Sequence, residues 1–293
     1  MTTVGALDIG GTHVTAGRVD VASALVQDRV RNSLPPGGSR ADLLEPILRA
    51  AKEVTSPETA RFGVAAPGPF DYEAGISKIT HKLEGLYGVD LRAELGAALG
   101  IGGAAAAFLN DTDAFLLGEW WAGAARGHRR AVGITLGTGL GSAFLAGGRI
   151  AHAGAGLPAG GDLYTLAFRG VPVEETISRS ALLARYDADP ETGVDVEQVA
   201  DRARGGDDHA RLAFHEFASD LAEFLAAPLL SFGPSCLVVG GSIARAWDLL
   251  EAALHAGLAS FEALVVVPAA RIDDAALLGA ARYASESVGA SAG

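Results

Sequence analysis

Residues 7–13 read Leu-Asp-Ile-Gly-Gly-Thr-His and connect two segments, 4–9 and 14–19, that have the composition of β-strands. The glycine pair permits positive φ angles and lets backbone N–H groups approach an anion closely. Thr12 adds a hydroxyl donor, and a carboxylate at Asp8 beside a bound phosphate makes sense chiefly with a divalent cation between them. An ordinary hairpin turn explains the glycines almost equally well. The acid on the preceding strand favours the anion site slightly.

The same pattern returns in the second half of the chain, where residues 136–142 read Leu-Gly-Thr-Gly-Leu-Gly-Ser between two further strand-like segments. Gly137, Thr138 and Gly139 form the turn, and this time no acid precedes it. Taken alone, such a turn is a weak signal. The repetition of strand, glycine turn and strand at 4–19 and 131–146 predicts two similar halves that face each other.

A third glycine pair, Gly240 and Gly241, follows a buried strand predicted at 236–239 and precedes a helix predicted at 243–258. A strand-to-helix junction presents free N–H groups and the positive end of the helix dipole to an anion or a nucleotide. For this pair alone, a tight structural turn is the slightly favoured interpretation. Three such turns in one chain favour anion binding.

Asn110 and Asp111 stand where a strand predicted at 104–109 changes into a helix predicted at 112–122. Open α/β sheets place ligands at the carboxyl ends of their strands. There, Asp111 could accept a proton from a substrate hydroxyl while Asn110 bonds a neighbouring hydroxyl. Both residue types are also ordinary helix N-caps, worth about 1 kcal/mol, and physics alone favours capping.

The composition narrows the class of protein. The chain has 293 residues, 49% hydrophobic and 20% charged, and a net charge of −12 from 23 basic and 35 acidic residues. That balance argues against sequence-independent nucleic-acid binding, which needs a basic face. A single cysteine, Cys236, excludes an intramolecular disulfide and a cysteine-based zinc site. No apolar run reaches the ~18–20 residues of a membrane span, and no signal peptide is recognisable, so we expect a soluble, cytoplasmic protein.

In this order, the motifs resemble the ROK family of sugar kinases, within the actin/hexokinase-like ATPase superfamily. The resemblance covers nearly the whole chain, because residues 63–71 (Gly-Val-Ala-Ala-Pro-Gly-Pro-Phe-Asp) and 271–281 also match family segments. It implies an α/β, two-domain actin/hexokinase-like (ribonuclease H-like) ATPase fold with a cleft between the domains. We expect a small N-terminal domain at 1–111, joined by a C-terminal helix at 275–293, and a larger domain at 112–274.

The resemblance also implies roles for single residues. ATP would contact three glycine segments and their neighbours, namely Asp8, Gly10, Gly11, Thr12, His13, Gly137, Thr138, Gly139, Gly240 and Gly241. Asp111 would be the catalytic base, Asn110 and Gly68 would contact the sugar, and Mg²⁺ would bridge the β- and γ-phosphates with Asp8 nearby. The family often has lysine where His13 stands, so altered phosphate contacts or pH dependence are expected. A homodimer follows from family analogy only.

The departures from the family concern the sugar site. The family's cysteine-rich zinc loop is missing, so no zinc site is expected. Residues 155–164 (Ala-Gly-Leu-Pro-Ala-Gly-Gly-Asp-Leu-Tyr) replace a family motif whose Glu and His bind the sugar, and no register restores either side chain. Shifting the register places Asp162 or Tyr164 at the histidine position. Glu174 with Ser178 fits the next family pattern, Glu-x-x-x-Ser, although a first-turn helix acid is an equal interpretation of Glu174.

The resulting prediction is ATP-dependent phosphorylation of a hydroxyl on a sugar or sugar-like polyol. Because a buried polar site rejects analogues that leave its groups unpaired, the rebuilt motif predicts an amino sugar or cyclitol rather than plain glucose, with Asp162 meeting an amine or a different hydroxyl. Two alternatives remain: a glucokinase using ATP or polyphosphate, and a catalytically silent sensor of sugar or nucleotide. The acidic charge argues against the DNA-binding repressors that the family also contains.

Overall fold

The structure is a computed structural model, and it describes residues 3–59, 61–102, 105–154, 157–188 and 193–287. The chain forms two compact units. The first unit is Met1–Arg126 together with Asp273–Gly293, and the second unit is Gly127–Ile272. The predicted boundary after residue 111 differs from this division, which falls after residue 126.

A five-stranded sheet forms the centre of the first unit. Its strands have the order β3-β2-β1-β4-β7, in which β1, β2 and β3 are antiparallel while β4 and β7 run parallel to β1. A two-stranded hairpin, β5 and β6, follows β4. The strands of this unit are β1 (Thr3–Ile9), β2 (His13–Asp20), β3 (Leu25–Ser33), β4 (Phe62–Ala66), β5 (Phe70–Asp71), β6 (Ile76–Ser77) and β7 (Ala106–Asn110).

Helices cover both faces of this sheet. They are α1 (Arg40–Glu53), α2 (Leu91–Leu99), α3 (Asp111–Ala122) and α8 (Ala275–Glu286). Leu7 and Ile9 of β1 pack in one core with Leu43 and Ile47 of α1. Because successive strand residues alternate between faces, Asp8 points to the other face, on which α8 packs.

Glycines bring α3 and α8 into close contact. A Cβ atom on Gly118 would lie 1.9 Å from the Ala275 carbonyl oxygen, and one on Gly279 would lie 1.8 Å from the Ala114 carbonyl oxygen. This packing places α3 in the first unit and accounts for the division after residue 126 rather than after 111.

The sheet of the second unit has the order β10-β9-β8-β13-β14, the same arrangement as in the first unit. β8, β9 and β10 are antiparallel, and β13 runs parallel to both β8 and β14. The repeat predicted at 4–19 and 131–146 is therefore confirmed as two equivalent hairpins. The strands are β8 (Arg130–Leu136), β9 (Leu140–Ala146), β10 (Arg149–Ile150), β11 (Ala167–Phe168), β12 (Val171–Pro172), β13 (Cys236–Gly240) and β14 (Val265–Pro268).

The helices of the second unit are α4 (Arg179–Arg185), α5 (Val196–Arg204), α6 (Asp208–Phe232) and α7 (Trp247–Gly257). Phe214, Phe217 and Leu221 of α6 enter the core of this unit. The helix predicted from residue 243 begins four residues later, because a 3₁₀ turn at Ile243–Ala246 precedes it. None of the helices in the described ranges is long and apolar enough to cross a membrane.

Candidate active site

The parallel strands β1, β4 and β7 end at one edge of the first sheet. Asp8 pairs with Ala65, and Ala65 pairs with Leu109, so the three strands are in register at this edge. Consequently the Gly10 turn, the loop carrying Gly68 and the β7–α3 junction follow one another along the same edge. This is where open α/β sheets bind ligands.

The turn between β1 and β2 is closed by a hydrogen bond of 2.8 Å from Gly10 N–H to the His13 carbonyl. Leu34 N–H donates to the Thr12 carbonyl at 2.8 Å and ties the turn to the end of β3. The Thr12 side chain is exposed, and its hydroxyl lies 3.1 Å from His13 Nδ1. Burial, and then the charges of Arg31 and Arg29, lower the pKa of His13 below its usual 6.5. His13 is therefore a largely neutral imidazole at pH 7.

Two carboxylates influence each other at this edge. Burial, followed by the charge of Asp111, raises the pKa of Asp8 from 3.8 to about 7, and Arg29 and Arg31 oppose that shift. Burial also raises the pKa of Asp111, while hydrogen bonds from Thr112 lower it. Raised carboxyl pKa values of this kind are common where proton transfer or cation binding takes place.

Asn110 and Asp111 could each cap α3 or bind a ligand, and the structure shows the cap at Asn110. Asn110 is the N-cap of α3, and its Oδ1 accepts hydrogen bonds from Thr112 N–H at 2.8 Å and Asp113 N–H at 3.4 Å. Asp111 is the first residue of the helix, and only its Oδ1 accepts the Thr112 N–H, at 2.8 Å. The capping interpretation is right for Asn110, and within the described part of the chain Asp111 Oδ2 accepts no hydrogen bond.

Tyr72 belongs to this site, although no sequence motif indicates it. Its hydroxyl accepts a hydrogen bond of 3.2 Å from Asn110 Nδ2 and donates one of 3.1 Å to the Ala66 carbonyl. A Cβ on the exposed Gly68 would lie 3.7 Å from the same hydroxyl. Tyr72 thus holds the amide of Asn110 beside the Gly68 loop, and only the pairing of β4 with β7 brings these residues together.

In the second unit, two glycine turns lie against each other. Gly137 N–H bonds the Gly139 carbonyl at 3.1 Å, and Thr138 at the tip is exposed. Gly241 has a φ of +85°, and a Cβ there would lie 2.3 Å from the Leu136 carbonyl oxygen. The turn after β13 therefore approaches the end of β8 so closely that only glycine fits.

Glu174 also lies at the β8–β9 turn. Its Oε1 accepts a hydrogen bond of 2.8 Å from Leu140 N–H, and a Cβ on Gly139 would lie 2.0 Å from the same oxygen. Burial, and then the charges of Asp162 and Glu174, raise the pKa of Tyr164. Asp162 and Glu174 thus both lie within electrostatic range of Tyr164, whose side chain is exposed.

The predicted residues accordingly form two groups, one in each unit. The first unit brings together Asp8, Gly10, Gly11, Thr12, His13, Gly68, Asn110 and Asp111. The second unit brings together Gly137, Thr138, Gly139, Asp162, Glu174, Gly240 and Gly241. Tyr72 is the residue that sequence analysis missed, since nothing in its local pattern separates it from an ordinary aromatic core residue.

The donor set of the first group suits a magnesium ion. Asp8 and Asp111 are oxygen donors of the type that Mg²⁺ prefers, and within the described residues the Asp8 carboxylate accepts no hydrogen bond. The two carboxylates repel each other, and Asp8 has no hydrogen-bond donor within the described residues. Such a pair would suit a Mg²⁺ ion whose other ligands are water and phosphate oxygens. Among the described residues, no three His, Cys, Asp or Glu side chains cluster as a metal site of the protein's own.

Comparisons with known proteins place this geometry in a family. The ROK family model matches residues 4–287. The glucokinase of Thermotoga maritima is 29% identical, with 97% of each chain aligned. The N-acetylmannosamine kinase of Salmonella paratyphi A is 31% identical, with 97% of this chain and 98% of the relative aligned.

Solved structures agree with the fold. The ROK hexokinase of Thermus thermophilus superposes with a TM-score of 0.77 at 26% identity, covering 98% of this chain and 99% of that one. A ROK glucokinase of Streptomyces griseus, solved with glucose and AMPPNP, superposes with a TM-score of 0.80 over 97% of this chain and 99% of that one at 23% identity, and it supports the fold alone. The fold is that of the two-domain actin/hexokinase-like α/β kinases. This chain belongs to the ROK family of sugar kinases.

Proposed function

We propose that this ATP-dependent sugar kinase transfers the γ-phosphoryl group of ATP to a sugar hydroxyl with Asp111 as the general base. The observation that carries the proposal is the position of Asp111 at the carboxyl edge of the sheet, beside the N-cap Asn110 and with a pKa raised by burial. A raised pKa makes the carboxylate a better proton acceptor near neutral pH.

At the β7–α3 junction, Asp111 would accept the proton and Asn110 would orient the substrate. Thr112 N–H occupies Asp111 Oδ1, so Oδ2 is the oxygen that receives the proton as the sugar oxygen attacks phosphorus. Asn110 is held on both sides, by the cap and by Tyr72, and would orient a neighbouring hydroxyl. Positioning and charge neutralisation supply most of the catalysis in phosphoryl transfer.

The glycine turns supply backbone N–H groups for the nucleotide. Gly10, Gly11 and Thr12 in the first unit, and Gly137, Thr138 and Gly139 in the second, would bind the phosphates, and Gly240 with Gly241 would line the adenosine site. Asp8 would hold Mg²⁺, which neutralises charge on the transferring phosphoryl group when it is bound.

For the substrate, we propose an amino sugar or a cyclitol, bound by Gly68, Asn110 and Asp111 in the first unit and by Asp162 and Glu174 in the second. Two carboxylates close to the exposed phenol of Tyr164 give this part of the chain acceptors for an amine or for several hydroxyls. An amino-sugar kinase is among the relatives, at 31% identity.

Glucose is the second candidate. Its support is the Thermotoga maritima glucokinase, which is 29% identical along 97% of both chains. The two candidates predict different rankings in a substrate panel with ATP and magnesium that contains glucose, N-acetylmannosamine, free amino sugars and cyclitols. We expect the largest kcat/KM for an amino sugar or a cyclitol, and faster turnover of glucose than of every other compound would overturn this assignment.

The catalytic role is tested with Asp111→Asn, which keeps the shape of the side chain and removes its basicity. We expect kcat to fall by about a thousandfold, within the range of a general base, while binding of an ATP analogue is retained. Asp90→Asn is the matched control, because Asp90 caps the exposed start of α2 through a 2.8 Å bond from Ala93 N–H and asparagine caps equally well.

Full activity of Asp111→Asn would refute the base assignment. Nucleotide binding by the wild-type protein without turnover of any compound in the panel would favour a silent sensor instead.

A further inference from the structure

The turn that would bind phosphate in the first unit has no positively charged side chain among its own residues. Its residues are Gly10, Gly11, Thr12 and His13, and the lowered pKa of His13 leaves the imidazole largely neutral at pH 7. The same edge of the sheet holds the carboxylates Asp8 and Asp111. Apart from the proposed magnesium ion, a triphosphate at this turn therefore meets negative charge unless other segments of the chain bring cations to it.

Lys82 lies directly against this turn. A Cβ atom on Gly11 would lie 3.1 Å from Lys82 Cδ and 3.9 Å from Lys82 Cβ, so the lysine stem passes over the glycine. Lys82 is exposed, and its nitrogen forms no ion pair with the described residues. Its backbone has a φ of +61°, a conformation that is strained for a residue with a side chain and that tends to persist at functional sites.

Arg31 lies on β3, the strand that pairs with β2 as β2 leaves the turn. Asp8 is paired with Thr15 on β2, and Thr15 is paired with Arg31 on β3, so the three side chains share one face of the sheet. Two strand spacings separate the backbones of Asp8 and Arg31 by about 10 Å, which an arginine side chain largely spans. Its charge lowers the pKa of both Asp8 and His13.

Arg31 is also free to bind a ligand. It is exposed and has no ion-pair partner within the part of the chain that the structure describes. Arg29, two residues earlier on the same strand, is instead engaged with Asp274 at 3.2 Å. The two arginines thus differ in what they can offer an incoming anion.

We propose that Lys82 and Arg31 form a cationic pair that binds the terminal phosphates of the nucleotide at the Gly10–Gly11–Thr12 turn. The proposal rests on the proposed function, since it assigns phosphate-binding residues for the same reaction. Lysine contributes a compact charge with three donors, and arginine contributes a planar fork that bonds two phosphate oxygens at once. Neither residue belongs to the glycine motif, and they come from two separate segments of the chain.

The test compares Lys82→Gln, Arg31→Gln and the double variant with Arg126→Gln. Arg126 is an exposed arginine of the first unit, and it follows the end of α3, a helix of 12 residues that is about 18 Å long and starts at Asp111. Calorimetry with magnesium measures the affinity for a non-hydrolysable ATP analogue, for ADP and for adenosine. We expect each single variant to weaken the ATP analogue by about tenfold, ADP by less, and adenosine by less than about twofold.

Two further measurements separate phosphate binding from a structural role. Arg31→Lys and Lys82→Arg should recover most of the affinity, and the losses in the glutamine variants should shrink at high salt because screening weakens charge contacts. Equal losses for adenosine and the ATP analogue, or no loss in the double variant, would overturn the proposal while leaving the kinase assignment intact. Failure of the wild-type protein to bind the ATP analogue would overturn the proposed function, and this inference with it.

Discussion

The two units contain the same sheet order and the same hairpin, but they carry different side chains at the hairpin turn. In both, an antiparallel pair of strands is joined by a glycine turn, and parallel strands extend the sheet on one side. Two residues before the first glycine of the turn, the first unit has Asp8 and the second has Thr135. The shared sheet order therefore fixes the position of each turn, and the residue at position 8 or 135 determines whether a carboxylate precedes it.

Neighbouring segments increase this difference. Gly11 of the first turn is covered by the Lys82 stem, while Gly139 of the second turn is covered by the carboxylate of Glu174. The turn preceded by an acid has a cation against it, and the turn without a preceding acid has an anion against it. The local charge of each turn depends on residues that are distant in sequence.

We expect the largest effect when the residue that precedes the first turn is exchanged for the residue that precedes the second. Asp8→Thr gives the first turn the residue of the second, and we expect kcat/KM to fall by about a hundredfold because the carboxylate proposed to hold Mg²⁺ is lost. The dependence of the rate on magnesium concentration should shift to higher values. Thr135→Asp should not restore activity to Asp8→Thr, because the new carboxylate lies in the other unit. Wild-type rates in Asp8→Thr would show that the acid is dispensable.

The two units also differ in how closely their helices pack at glycine residues. Gly279→Ala in α8 would place a methyl group 1.8 Å from a backbone carbonyl oxygen of α3, whereas Gly257→Ala in α7 would meet the Ala222 side chain at 2.5 Å. We expect losses in the free energy of unfolding of about 3 kcal/mol for the first variant and less for the second. Gly102→Ala, with no atom within 4 Å of the new methyl group, is the control and should be nearly neutral. Denaturant unfolding measures all three.

The smallest expected effect concerns pH. The pKa of Asp8 is about 7 in the folded protein against a usual value of 3.8, so the folded state binds the proton more tightly than the unfolded state does. The contribution of Asp8 to stability is therefore most favourable below about pH 4 and is lost as the pH rises to about 7. We expect Asp8→Asn to raise Tm at pH 8 by about 2–4 °C and to differ little from wild type at pH 4. A lower Tm for the variant at pH 8 would contradict the raised pKa.

Much of the site was open to prediction from local sequence. The hairpins around Gly10 and Gly139 were recognisable because alternating strands and glycine turns leave a clear pattern over a few residues. The change from strand to helix at Asp111 was predicted for the same reason. The start of the helix after Gly241 was misplaced by four residues, since the 3₁₀ turn at Ile243–Ala246 has a helix-like composition.

What the amino-acid sequence alone determined is the set of local elements, the order of the motifs and, through that order, the family. Tertiary structure decided which distant residues act on one another: Asp111 raises the pKa of Asp8, Asn110 bonds Tyr72, and the Lys82 stem lies against Gly11. It also decided that α3 belongs with α8. The physical reason is that strand register and helix packing join segments far apart along the chain, and hydrophobic periodicity within a short window carries no information about those partners.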